Sequence, residues 1–515
     1  MLWRNATRAS SAVLALALML FGPQLLRAQS GSRIKSAPSQ LSLADAIALA
    51  KEESPDLLEA QNNDIDARWG VKEAYGQLLP SASVSTGFQY SAPGTPQFGV
   101  LTSSDFGISR TPAYYTSSWG LNFNYTLSGG KLYNTSMQQA NRRASGAQID
   151  ATSALLETNV TRQYLVVLQA QDALTLSRET LASANENLRL ADARVKVGSA
   201  IALEAKQAQV ERDKAQVAVL RAENAVIAQK LQLGQVIGVT VPLDVTLTTS
   251  FAVFVPPWTE AQLLERALRR QPSLRVAAAQ EVAADAQVKA ARSQYLPSLA
   301  VNVGFSGYAR QSGDKGALIT AAQSSLAGSY SQCQLFNDVA SRLTSPLPGF
   351  PANCGSATLT DAQRTAILDK NSVFPFRYTS QPWYAQLEIS LPIFGGLTRE
   401  HQVQTARLAT DNARLRSKAQ TLMVRTNVST AYATLVTAEK AFEIEKVNRE
   451  AAAEQLTLEQ ERYRVGSSSF VQLQDAQTRK AEADKSYLDA LYAFHDALAQ
   501  LQNAVGEPLE IPGNK

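Results

Sequence analysis

ARVKVGSAIALEAKQAQ (residues 193–209) and ERYRVGSSSFVQLQDAQ (residues 461–477) are two versions of one segment. Aligned without a gap, they share an arginine, then Val-Gly-Ser, then Ala-Gln. Each lies between long stretches of helical pattern. Residues 131–197 contain one glycine and no proline, and residues 397–465 contain neither. At ~1.5 Å per residue, each stretch makes a rod of about 100 Å. Gly198 and Gly466 supply a stop at the C-terminal end of the rod. A second helix of about 40 residues then returns to Gly238 or Gly506.

The match extends outward on both sides. SPDLLEAQNNDIDARWGVKEAYGQLLPS, from Ser54, aligns with QPSLRVAAAQEVAADAQVKAARSQYLPS, from Gln271, at an offset of 217. Thr158-Asn159-Val160 meets Thr426-Asn427-Val428 at an offset of 268, and Gly238 meets Gly506. The chain is therefore a tandem duplication, with a first repeat over 29–250 and a second over 251–515.

Each repeat opens with a helix (roughly 53–78 and 270–295) that ends at Leu-Pro-Ser. A strand follows. Ala82, Val84, Thr86, Phe88 and Tyr90 alternate with Ser83, Ser85, Gly87 and Gln89, and Leu299, Val301, Val303 and Phe305 alternate with Ala300, Asn302, Gly304 and Ser306. After a polar loop, a second strand sets Leu121, Phe123, Tyr125 and Leu127, or Leu387, Ile389 and Leu391, against polar neighbours. Period-two alternation fits a half-buried strand. Tyr487, Ala490, Phe494, Ala497 and Leu501 step by three and four, as do Val219, Ala222, Val226 and Leu233. That is a coiled-coil seam, and a short and a returning helix stacked end to end equal one long helix in length.

Composition narrows the class. Arg4 and Arg8 precede an apolar run from Ala12 to Phe21, and Ala28 offers a small residue for cleavage, so residues 1–28 read as a secretory signal peptide. Its loss removes three arginines and no acid, lowering formal net charge from +4 to +1. A nearly neutral mature chain argues against a nucleic-acid partner. Cys333 and Cys354, the sole cysteines, are candidates for a disulfide in an exported chain; two free thiols are the alternative that spacing leaves open. No run of 18 apolar residues follows the signal, so any crossing of a membrane must be made by strands.

Four strands with one apolar and one small polar face suit a membrane barrel, with Trp119, Trp383, Tyr90 and Tyr308 near the loop ends as an aromatic girdle. About eight strands are the minimum for a membrane barrel, and an open edge in lipid leaves backbone groups unpaired. A spanning reading therefore requires several chains to share one barrel.

The order helix, strand, loop, strand, long helix, Val-Gly-Ser turn and returning helix, twice over, resembles the TolC-like outer-membrane efflux proteins across about residues 40–510. The resemblance implies an α+β membrane protein. Its homotrimer forms a 12-stranded β-barrel in the outer membrane, four strands per chain, continued by a long α-helical coiled-coil tunnel in the periplasm. It implies a passive exit duct of a tripartite efflux pump or type I secretion system. A periplasmic adaptor (membrane fusion protein) would join it to an inner-membrane pump of the RND or ABC type. Val197, Gly198, Ser199, Val465, Gly466 and Ser467 would be the adaptor-docking tips. The family closes its tunnel near these tips with a tyrosine–arginine–aspartate lock and two acidic rings. Tyr463 matches the lock tyrosine, and Glu204 stands at the aspartate's place. Ser468 stands where an arginine is usual, Gln472 replaces the first ring aspartate, and Asp475 matches the second. A lock without its arginine must close through other contacts or leave a looser pore. The loop over 309–381, longer than that over 91–117, would face outside the cell and carries both cysteines.

Other classes fit less well. His401 and His495 are the only histidines and both fall in helical pattern; metal-ligand spacing, a phosphate loop and a nucleophile elbow are all lacking, so neither an enzyme nor a cofactor is expected. An exported soluble coiled-coil scaffold whose strands form an ordinary sheet is the alternative that the sequence leaves open.

Overall fold

The structure is a computed structural model and describes residues 35–95, 97–102, 105, 111–345 and 348–509; the signal-peptide assignment lies outside them. In chain order the elements are β1 (Gln40–Leu41), α1 (Leu43–Glu53), α2 (Pro55–Gly76), β2 (Ser81–Ser91), β3 (Gln97–Phe98), β4 (Leu101–Thr102), β5 (Tyr114–Leu127), α3 (Gly129–Lys196) and α4 (Ala202–Ile237). They continue with β6 (Thr246–Leu247), α5 (Glu260–Arg270), α6 (Pro272–Arg292), β7 (Ser298–Ser312), α7 (Lys315–Ser341), α8 (Asp361–Asn371), β8 (Thr379–Ser380), β9 (Tyr384–Ser390), α9 (Thr398–Arg464) and α10 (Phe470–Val505). The chain divides into two compact units, one of residues 1–69, 139–285 and 408–515, the other of residues 70–138 and 286–407.

In the first unit the helices pack through two equivalent apolar clusters. Leu41, Ala46, Ala50 and Leu57 close on Leu156, Val160, Tyr164, Leu233 and Ile237. Leu263 and Ala267 close in the same way on Val428, Leu435, Phe494, Ala497 and Leu501. The short helices α1 and α5, which precede the helices read from the sequence at roughly 53–78 and 270–295, start at capping boxes. Ser42 pairs with Asp45, and Thr259 with Gln262, each satisfying two backbone donors at the helix start. Pro55 and Pro272 then open α2 and α6, where a missing N–H costs nothing.

The two long hairpins, α3 with α4 and α9 with α10, are joined by polar rungs from α3 to α10. Arg162 pairs with Asp496 at 2.5 Å, Gln169 Nε2 donates to Asp489 at 2.9 Å, and Tyr492 Oη donates to Asp172 at 2.7 Å. Burial, helped by the Asp172 carboxylate, pushes the Tyr492 hydroxyl far above its ordinary value, so it stays a donor.

The second unit is built on a five-stranded antiparallel sheet in which β5 lies between β2 and β7, and β7 pairs on its other side with β9 and, near its outer end, with the short β8. Register sets one face apolar on every strand. Val84 lies opposite Leu121, which faces Phe305; Phe123 faces Val303 and then Ala385; Leu127 faces Leu299 and then Ile389. Residues between them, among them Ser83, Asn122, Gly304 and Gln386, make the polar face. Two aromatic rings lie on glycines, and each shows why a side chain is excluded there. A Cβ on Gly304 would sit 2.3 Å from the Tyr384 ring, and one on Gly307 would sit 2.5 Å from Trp119 Nε1.

Two expectations need correction. Tyr308 pairs with Ser118 and so lies on the polar face, while Trp119, Tyr90 and Trp383, stacked on Phe305, belong to the apolar one. The 309–381 stretch is not a plain loop. β7 runs to Ser312, and α7 and α8 follow. Cys333 on α7 is bonded to Cys354, with Cα atoms 5.5 Å apart. Among the described residues no helix is long and apolar enough to cross a membrane.

Candidate functional site

Both hairpin ends turn the backbone in the same way. Gly198 and Gly466 take φ of 74° and 80°, the left-handed region that favours glycine. The Ser199 N–H reaches back to the Arg194 carbonyl at 2.9 Å, and the Ser467 N–H to the Arg462 carbonyl at 2.9 Å. The shorter return, Gly198 N–H to Val195 and Gly466 N–H to Tyr463, is 3.1 Å in both. This double return satisfies carbonyls that a helix end leaves open. Each serine hydroxyl adds a bond of 3.1 Å to the same carbonyl as its own N–H. A Cβ on either glycine would meet nothing within 4 Å, and Val197 and Val465 are 79% and 72% exposed. The turns are therefore bare backbone flanked by two exposed valines. Contrast Gly238 and Gly506, where a Cβ would sit 2.5 Å from the Glu53 carbonyl oxygen and 2.7 Å from Gln271 Cα. Those two glycines are required by packing.

Behind the turns a small cluster joins the hairpins: Ala191 and Ala208 from one, Tyr463, Phe470 and Leu473 from the other. Tyr463 is fully buried and its hydroxyl donates to Glu204 Oε2 at 3.3 Å. Burial, with the Glu204 charge second, raises the hydroxyl above its ordinary value and keeps the proton on it. Sequence reasoning brought Tyr463 and Glu204 forward and stopped at a missing arginine. The cluster does contain one. Arg194 lies 4.3 Å over the Tyr463 ring, donates to the Tyr463 carbonyl at 3.3 Å, and reaches the Ser199 carbonyl at 3.5 Å. It belongs to the other hairpin, so no spacing within ERYRVGSSSFVQLQDAQ could reveal it.

The remaining sequence-predicted residues are placed differently. Ser468 is buried and its hydroxyl donates to the Glu459 carboxylate, with Gln472 Oε1 a second acceptor within reach at 3.1 Å. Gln472 is occupied in a capping box with Ser469, its side chain accepting from the Ser469 N–H at 2.9 Å. Asp475 is exposed and paired with Arg479 at 2.9 Å, so its charge is partly offset by its own helix. His401 is exposed, and His495 is buried. His495 lines a cavity of about 690 Å³ with Leu43, Ile47, Phe251 and Phe254. Its Nε2 has no hydrogen-bond partner among the described residues.

A sheet with one apolar face is thus joined in one chain to two long hairpins with bare glycine ends. Residues 46–239 and 355–507 match the outer membrane efflux protein family, and the chain belongs to it. Its location is the outer membrane. The outer membrane protein TolC of Vibrio cholerae is 27% identical over 277 residues, 53% of this chain and 59% of that one. The probable outer membrane lipoprotein SilC of Salmonella typhimurium is 28% identical over 266 residues, 48% and 54% of the two chains. The chain thus spans somewhat more than half the length of these relatives. The crystal structure of the Campylobacter jejuni CmeC outer membrane channel has the same fold, with a TM-score of 0.66 at 16% identity over 92% of this chain and 87% of that one. The open state of the Neisseria gonorrhoeae MtrE outer membrane channel has a TM-score of 0.63 at 19% identity, over 91% and 89%. The family is one of outer membrane efflux proteins, and the CmeC and MtrE structures are those of outer membrane channels.

Proposed function

We propose that three copies of this chain form one 12-stranded barrel and one helical tunnel, a passive exit duct for efflux or type I secretion. The observation that carries this reading is the sheet. Its apolar face is continuous over four strands, and among the described residues the outer edges of β2 and β9 pair with nothing. An unpaired edge in lipid is prohibitive, so β9 of one chain meets β2 of the next until the ring closes. Each repeat, 29–250 and 251–515, contributes two strands and one hairpin. The six hairpin ends of the trimer are docking points for a periplasmic adaptor through Val197, Gly198, Ser199, Val465, Gly466 and Ser467. An inner-membrane pump of the RND or ABC type drives transport. Tyr463, Glu204 and Arg194 hold the hairpins together when the duct is closed. Ser468 and Gln472 fix the helix start beside them, and Asp475 lies at the constriction.

Washing membranes with alkali tests the barrel against a soluble scaffold. The protein should stay with the membrane and migrate as a heat-modifiable oligomer after detergent extraction. Release by alkali as a monomer would remove the reading.

A further inference from the structure

We propose that the segment Phe374-Pro375-Phe376 is a membrane-interface strap that seats on the headgroup region of the outer leaflet. The proposal rests on the barrel reading of the sheet. The segment follows α8 and folds back onto β2, β5 and β7. Ser117 Oγ donates to the Pro375 carbonyl, and the Phe374 N–H donates to Gln311 Oε1 at 3.2 Å. Phe374 stands 6.2 Å from Phe88 and 5.6 Å from Tyr115, and Phe376 stands 6.4 Å from Phe88.

The register decides which face the strap covers. Ser117 and Tyr115 share parity with Trp119, Leu121 and Phe123 on β5, and Phe88 shares parity with Val84 on β2. Gln311 and Ala309 share parity with Phe305 and Val303 on β7. The strap therefore lies on the apolar, lipid-side face and leaves the polar face alone. Beneath it Ser117 and Ala309 are 0% and 2% exposed, while Val84, Phe123 and Phe305 on the same face are exposed.

Height along the strand gives the occupant. Leu299 to Gly307 covers about 27 Å of strand at ~3.4 Å per residue. At a tilt of ~40° that is about 21 Å along the membrane normal, close to the ~25 Å apolar band of such barrels. Ala309 and Gln311, under the strap, are the next outward positions. There Ser117 and Gln311 interrupt the apolar face among Phe88, Tyr90 and Tyr115, and the strap covers them with further aromatic surface. Phe376 is 72% exposed, and Tyr90, two positions beyond Phe88 on β2, is 57% exposed. Arg377 follows directly and is exposed, with one guanidinium nitrogen on the Ser372 carbonyl at 3.3 Å. An aromatic ring next to a cation, at the edge of an apolar band, fits lipid headgroups bearing anionic phosphate.

The test labels Phe376→Cys in the full-length protein with an environment-sensitive fluorophore. Cys333 and Cys354 are bonded to each other, so the new thiol is the one available. Vesicles of phosphatidylethanolamine and phosphatidylglycerol carry a nitroxide either near the headgroup or near the acyl-chain end. Leu387→Cys, in the middle of the apolar face, is labelled in parallel, and Arg377→Cys serves should Phe376→Cys fail to assemble. The headgroup nitroxide should take the larger share of emission at 376, and the deep nitroxide at 387. Quenching at 387 with none at 376 overturns the strap and leaves the barrel standing. A blue-shifted, unquenched label at 376 means a protein neighbour and overturns the strap as well. No quenching at either position overturns the barrel reading and the strap with it.

Discussion

Arg194 is the residue whose side chain most changes the reading of the hairpin ends. It joins the two hairpins at one tyrosine, through a ring face and a carbonyl. A cation over an aromatic ring in a partly buried place is worth about 0.5–2 kcal/mol. Arg194→Ala should therefore shift the closed-to-open ratio roughly 2- to 30-fold toward open. Tyr463→Phe, which loses only the bond to Glu204, should shift it less. Open probability in planar bilayers measures both, and an unchanged Arg194→Ala channel would remove the clamp. A second residue sets a pH dependence. Burial lowers the His495 imidazole to about 4 from 6.5, and the two carboxylates that line the same cavity are paired elsewhere, Glu157 with Lys51 and Glu507 with Arg266 and Arg270. The unfolded chain then binds a proton between these two values that the folded one does not, so stability is full above about 6.5 and falls as pH drops toward 4. The loss approaches about 3 kcal/mol at the acid end. The thermal midpoint of oligomer dissociation should fall over that window, and His495→Leu should flatten the fall.

At the scale of elements, the glycines separate packing from partner contact. Gly238→Ala places a methyl on the Glu53 carbonyl and should cost the oligomer several degrees of thermal stability. Gly198→Ala meets no atom within 4 Å and carries only the strain of a left-handed alanine, about 1–2 kcal/mol at a solvated turn. Oligomer stability should hardly change, while pump-dependent export falls. An equal loss of stability in both variants would contradict docking at the tips. Helices and strands with strong patterns are legible because an apolar face writes its period into the sequence, as in Val84 to Phe88, an exposed apolar face, or Tyr487 to Leu501, a packed one. Helix α7 is not. Its sequence is rich in serine and alanine, with Gly316 and Gly328, and none of its residues is buried. Contacts outside the helix hold it: Asp314 caps it, Gln323 bonds to Ala357 and Leu359, and Cys333 is tied to Cys354. Removing the disulfide by Cys333→Ser and Cys354→Ser should cost the segment about 3 kcal/mol and open residues 348–360 to proteolysis, with the oligomer intact.

At the scale of the whole molecule, duplication and strand alternation let the sequence be read as a repeat with a membrane face. The hairpin ends were legible as two identical turns, but not as a joined pair, because Arg194 and Tyr463 are 269 residues apart. The strap escaped as well. Phe374 and Phe376 are two aromatics in a polar stretch until the register gives them a face. The central claim is that the sheet of one chain is a third of a barrel. Single-channel conductance of the purified protein in a planar bilayer, with its mass determined in the same detergent, tests it most directly. The account predicts the mass of three chains and a small, stable conductance. A single-chain mass with no channels would contradict it.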